Sequence, residues 1–173
     1  RNLFRNTGVE CSNNGYLVQS YTPGDELLVE GETYTVSMCI TPGKGLNGVT
    51  PYLSGGYRSC VSLPTSGSEK QVISGTFKCH YHDGMTPEDN IRNATLHIYR
   101  FPNDGTVTSN TTIHWIKVEK GNKPTDWTPA PEDIDAAINT KVSTTVFNEV
   151  KQTVDANSAT ITRLSETVSK KAD

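Results

Sequence analysis

The amino-acid sequence predicts a mainly β protein, a jelly-roll β-sandwich followed by a C-terminal α-helix of coiled-coil type. Three observations predict it. From Arg1 to about Trp127, short apolar stretches alternate with Gly, Pro, Asn and Ser clusters at roughly ten-residue intervals. After Pro131 the apolar period lengthens to a helical one. Hydrophobic content is 34% and charged content 20%, with Gly, Ser, Thr and Asn making up the difference, as suits a turn-rich β module. The expected organisation is a sandwich over residues 1–128, a Pro-rich linker over 129–133 and an oligomerising helix over 134–173.

The strands follow in order. Gly15 to Tyr21 is closed by Pro23-Gly24-Asp25. Thr33 to Ile40 alternates most clearly: Tyr34, Val36, Met38 and Ile40 face one way, Thr35, Ser37 and Cys39 the other. Val49 to Leu53 and Ser59 to Leu63 are shorter. Gln71 to Tyr81 puts Ile73, Phe77 and Cys79 on one face. Ala94 to Phe101 follows the 83–93 loop, with Leu96 and Ile98 inward and His97, Tyr99 and Phe101 outward. Thr111 to Glu119 is the last strand, with Ile116 and Val118 inward and Trp115 and Lys117 outward. Seven or eight short strands with one buried face predict two packed antiparallel sheets.

In the helix, Ile134, Ile138, Val142, Val146, Val150 and Val154 recur in four-residue steps. Ile161, Leu164 and Val168 keep heptad spacing; with Phe147, Val150 and Val154 they form one frame, and the register shifts near residues 138–147. The segment is rich in Thr, Ser and Val, poor helix formers, so its narrow apolar stripe calls for partner chains.

Composition excludes several function classes. Net charge is −3 with no basic run, which argues against nucleic-acid binding. No apolar run is long enough to span a membrane. Cys11, Cys39, Cys60 and Cys79 lack C-x-x-C spacing and are read as free thiols. The chain opens without Met and stops inside a helical pattern, as a piece of a longer protein would. No nucleophile elbow or phosphate loop is present, and no cofactor is expected. His80-Tyr81-His82-Asp83 is read as a polar strand end. Asp83, Glu88 and Asp89 form a solvated acidic loop, with oxygen ligands suited at most to a structural calcium.

The positive chemical signal is outward aromatics. Trp115 and Lys117 point away from the core side of their strand and His97 and Tyr99 from that of theirs, and the four are read as one site, with stacking on Trp115 and Tyr99 and polar contacts from His97 and Lys117. Tyr57 and Tyr81, like Tyr52, sit on or beside loops rich in Gly and Ser. A sugar offers apolar C–H faces ringed by hydroxyls. Exposed rings stack on the first, and Lys, His and amide groups bond the second. The predicted ligand-binding set is Trp115, Lys117, His97, Tyr99, Tyr57 and Tyr81. Trp127 is read as a structural pin.

The block Glu119-Lys120-Gly121-Asn122, Thr125-Asp126-Trp127, then Pro129-Ala130-Pro131-Glu132-Asp133 resembles the linker of bacteriophage and prophage tail and baseplate proteins, chiefly from Gram-positive hosts. There it closes a carbohydrate-binding-like sandwich. The resemblance implies a non-enzymatic host-adhesion module on a virion tail. Its expected partners are a cell-surface polysaccharide, other tail proteins, and two further copies of itself in a homotrimer through residues 134–168. The alternatives are a structural spacer that binds no sugar and a glycan depolymerase.

Overall fold

The computed structural model describes residues 1–54, 61–81 and 95–171. Among them are eight strands: β1 (Cys11–Asn13), β2 (Leu17–Tyr21), β3 (Thr33–Thr41), β4 (Gly48–Ser54), β5 (Leu63–Pro64), β6 (Gln71–Lys78), β7 (Thr95–Phe101) and β8 (Thr111–Lys120). All pairings are antiparallel, in a first sheet ordered β1-β8-β3-β6 and a second ordered β2-β7-β4-β5. That order is a jelly roll, two interleaved Greek keys, and the expected fold class holds.

The core lies between the sheets, where the alternating residues place it. Tyr34, Val36, Met38 and Ile40 of β3 meet Val49 and Leu53 of β4 and Leu96 and Ile98 of β7, all at most 2% exposed. In β8 strict alternation fails. Cys39 pairs with Trp115 but Ile40 pairs with Ile113, so His114 is an extra residue in a bulge. The bulge lets Ile113 and Ile116, three apart, both face inward at 0% exposure. The segment expected at Ser59–Leu63 pairs only at Leu63–Pro64, and Ser59 and Cys60 lie outside the described residues. β1 was not expected at all.

After β8 the chain turns at Gly121, whose φ of 116° is the left-handed region that favours glycine. It then runs back over the outer face of the first sheet. Trp127 donates from Nε1 to the Ile116 carbonyl at 3.2 Å, and its ring lies against Gly8. A Cβ on Gly8 would sit 2.5 Å from the indole, so only glycine admits this approach. Asn2 Nδ2 donates to Ile116 O, Thr128 O and Thr7 Oγ1. Trp127 therefore pins the exit segment.

Clustering by contacts divides the chain into residues 1–133 and 134–173. Ala130 is fully buried, Glu132 accepts from the Asp25 amide, and Asp133 accepts from the Asn6 amide. Helix α1 spans Pro131–Lys171. Pro131 suits a first turn, where its missing N–H costs nothing. Glu132 and Asp133 meet the positive end of the helix dipole, and Lys170 and Lys171 the negative end. Seven threonines bond the carbonyl four residues back, which satisfies their hydroxyls without raising helix propensity. Phe147, Val150, Val154, Ile161, Leu164 and Val168 are all more than half exposed, so the apolar stripe is unburied in a single chain. None of the helices among the described residues is long and apolar enough to cross a membrane.

Candidate functional site

The two outer faces of the sandwich differ in chemistry, and the predicted ligand-binding residues divide between them. On the second sheet, β7 turns Leu96 and Ile98 into the core and His97, Tyr99 and Phe101 outward. β4 turns Thr50 and Tyr52 to the same side. Register sets Thr50 opposite Tyr99 and Tyr52 opposite His97. Tyr16, just ahead of β2, brings its ring to 4.9 Å from that of Tyr99, tilted by 32°. Tyr52 lies 6.4 Å and His97 5.7 Å from the same ring. Tyr99 is thus the centre of an aromatic cluster.

Beside it lies a recess of about 390 Å³, lined by Tyr16, Thr50, Tyr52, Tyr99, Phe101 and Asn103, with Arg100. The volume falls in the range of small-ligand sites, roughly 300–1,000 Å³. Polar groups at its margin are the Thr50 hydroxyl and the Asn103 amide; His97 lies beside Tyr99, its Nδ1 sharing a hydrogen with Ser20 Oγ at 2.8 Å. Among the described residues the lining holds no carboxylate.

Arg100 supports this cluster. Only 8% exposed, it donates from Nε to Gly15 O at 3.1 Å and from Nη1 to Pro102 O at 3.0 Å. Its amide donates to Tyr16 O. One buried guanidinium thereby ties the turn that carries Tyr16 to the segment that carries Phe101 and Asn103.

On the first sheet the outward residues of β3 and β8 are covered. Lys117 is 2% exposed, and its ammonium donates to Thr125 Oγ1 at 2.5 Å and Asp126 O at 2.7 Å and pairs with Glu119 at 3.3 Å. The expectation that Lys117 contacts a ligand is corrected: the returning exit segment consumes its donors. Glu119 accepts from the Thr125 amide and hydroxyl. Burial pushes its carboxyl up, but the Thr125 and Lys117 hydrogen bonds outweigh that and hold it below the ordinary glutamate value. Trp115 is half-buried on this same face. It does not join His97 and Tyr99, because β8 and β7 belong to different sheets.

Tyr81 lies apart from the tyrosine cluster's recess. It packs against the core edge, and its hydroxyl donates to Leu28 O at 2.7 Å. Tyr57, the acidic loop of Asp83, Glu88 and Asp89, and His82 lie outside the described residues. His80 bonds Glu30 at 2.8 Å, as a polar strand end would. Cys11, Cys39 and Cys79 are free thiols, and burial followed by the Glu30 charge pushes the Cys79 thiol up to about 12. Tyr16 was missed as a site residue, and Tyr52 was noted only as a loop-side aromatic. Tyr16 sits beyond its strand end, and nothing in its local sequence pairs it with Tyr99.

No family model matches the chain, and no curated protein matches it in sequence. Solved structures similar to it include the C-terminal domain of EclA, a sugar-binding protein, at 16% identity and a TM-score of 0.32 over 68% of this chain and 73% of that one. The N-terminal cellulose-binding domain of Cellulomonas fimi β-1,4-glucanase C is similar at 13% identity and a TM-score of 0.35, over 61% and 70%. A carbohydrate-binding module of Cellvibrio mixtus lichenase 5A is similar at 12% and 0.32, over 69% and 73%. At these values the likeness concerns the layout of the sheets and carries nothing about ligands.

Proposed function

We propose that the sandwich is a non-catalytic glycan-binding module whose site is the tyrosine cluster on the outer face of the second sheet. The observation that carries this reading is the grouping of Tyr16, Tyr52 and Tyr99 around one recess whose margin carries the Thr50 hydroxyl and the Asn103 amide. A pyranose ring stacks its C–H face on such rings while its hydroxyls bond Thr50, Asn103 and His97. Purified protein on a polysaccharide array should bind at least one glycan. Tyr99→Ala should weaken that binding, by roughly fivefold, with an unchanged circular dichroism spectrum. Absence of binding across the array, with a tight complex formed with a tail protein instead, would establish the spacer alternative.

The finer reading is host adhesion on a phage tail, at the exterior of the bacterium. Its support is the 119–133 block and the uncovered apolar stripe of α1. Three copies joined through residues 134–168 would present three weak sites together, and avidity would exceed single-site affinity by about 10²–10⁴. Sedimentation of the whole chain and of a chain lacking residues 134–173 tests this. A monomer in both cases removes the stalk and the avidity.

A further inference from the structure

The outer face of the first sheet holds a second recess, of about 270 Å³, between Ser37 of β3, Val72 of β6, Trp115 of β8 and the returning segment from Pro124 to Trp127. Two observations set it apart from a packing gap. Ser37 is 2% exposed and its Oγ has no hydrogen-bond partner, whereas Thr35, Lys117 and Glu119 on the same face are all bonded. Buried hydroxyls are rarely left so. Val72 is 64% exposed beside the half-buried indole, so apolar surface stays uncovered next to an unsatisfied polar atom.

We propose that this recess binds one ring of a neutral saccharide, as a glycan site separate from the tyrosine cluster on the other sheet. It is smaller than the roughly 300–1,000 Å³ of most ligand pockets, which suits a single ring rather than a chain segment. The ring's C–H face stacks on Trp115, and a ligand hydroxyl meets Ser37 Oγ. Asp126 offers the acceptor in the lining: Lys117 takes its carbonyl, while its carboxylate has no partner among the described residues. The Lys117 ammonium is committed to Glu119, Thr125 and Asp126, so it is not available to an anionic ligand.

The test is a titration of the ¹⁵N-labelled whole chain with glucose, galactose, N-acetylglucosamine and glucosamine, following the Tyr99 amide for the tyrosine cluster and the two indole N–H signals, assigned with Trp115→Phe. The Trp115 signal should shift saturably with at least one sugar, both in the native chain and in Tyr99→Ala. Ser37→Ala should weaken that event about threefold to tenfold. The same substitution should raise the melting temperature of the free chain, because an orphaned hydroxyl is removed. A Trp115 signal that stays still while the tyrosine cluster binds removes this second site and leaves the first intact. Stillness at both faces removes both. An unchanged affinity in Ser37→Ala means that Ser37 meets only water and overturns the assignment. A response to glucosamine alone, through its ammonium and Asp126, overturns the neutral class.

Discussion

The two outer faces of this sandwich are built from the same alternating strands, yet one is closed and the other open. On the first sheet, Thr35, Lys117 and Glu119 are buried because the chain leaving β8 folds back over them. On the second, Tyr16, Tyr52 and Tyr99 gather with no segment returning over them among the described residues. The difference teaches that an outward position on a strand is only a candidate for function. Which outward face meets a ligand depends on where the rest of the chain travels.

Substitutions should separate the faces by what they damage. The largest effect is expected at the closed face. Lys117→Ala strands the Glu119 carboxylate in a buried setting and should cost about 3 kcal/mol of stability, read by denaturant unfolding. Glycan affinity at the tyrosine cluster of the folded protein should not change. Gly8→Val comes next. Its side chain would collide with the Trp127 ring and should cost about 2 kcal/mol, again without touching the tyrosine cluster.

At the open face the pattern inverts. Tyr99→Ala should weaken glycan binding by about 1 kcal/mol or more, roughly fivefold, in a calorimetric titration, with little loss of stability. A Tyr99 variant that unfolds, or a Lys117 variant whose tyrosine cluster loses sugar affinity in the folded fraction, would erase the distinction between the faces.

The smallest effect is acid sensitivity, to which Glu119 of the closed side contributes. The Glu119 and Glu132 carboxyls sit below their ordinary value of 4.5 when folded. At each, burial raises the value, but hydrogen bonds, from Thr125 at Glu119 and from the Asp25 amide at Glu132, outweigh it. The unfolded chain therefore binds protons first as pH falls. Their stabilisation is complete above about pH 4.5 and is lost as pH drops through the lower folded values. Melting temperature should decline across that window, and Glu119→Gln should flatten the decline.

Much of this was legible in the sequence. The alternation of β3 and β7 gave their core faces directly, and the change of period after Pro131 marked the helix. The rest depended on tertiary placement. β1 spans only Cys11–Asn13, too short for a period to register. The bulge at His114 is invisible to alternation, which would have turned His114 rather than Ile113 inward. Lys117 looked available because its strand pointed it outward, and the exit segment that consumes it lies eight and nine residues further on. Trp115 and Tyr99 looked like parts of one face because nothing local says which sheet a strand joins. Tyr16 reaches Tyr99 only because β2 pairs with β7.

Arg100, tying Gly15 to Pro102 from beneath the tyrosine cluster, has a thermodynamic consequence. Both sides of the recess are held before any ligand arrives, so little backbone entropy is left to lose on association. Binding there should proceed in a single kinetic phase, without a slow ordering step. Freeing the two carbonyls with Arg100→Met would show itself chiefly as a more unfavourable binding entropy, with the contacts to the sugar unchanged.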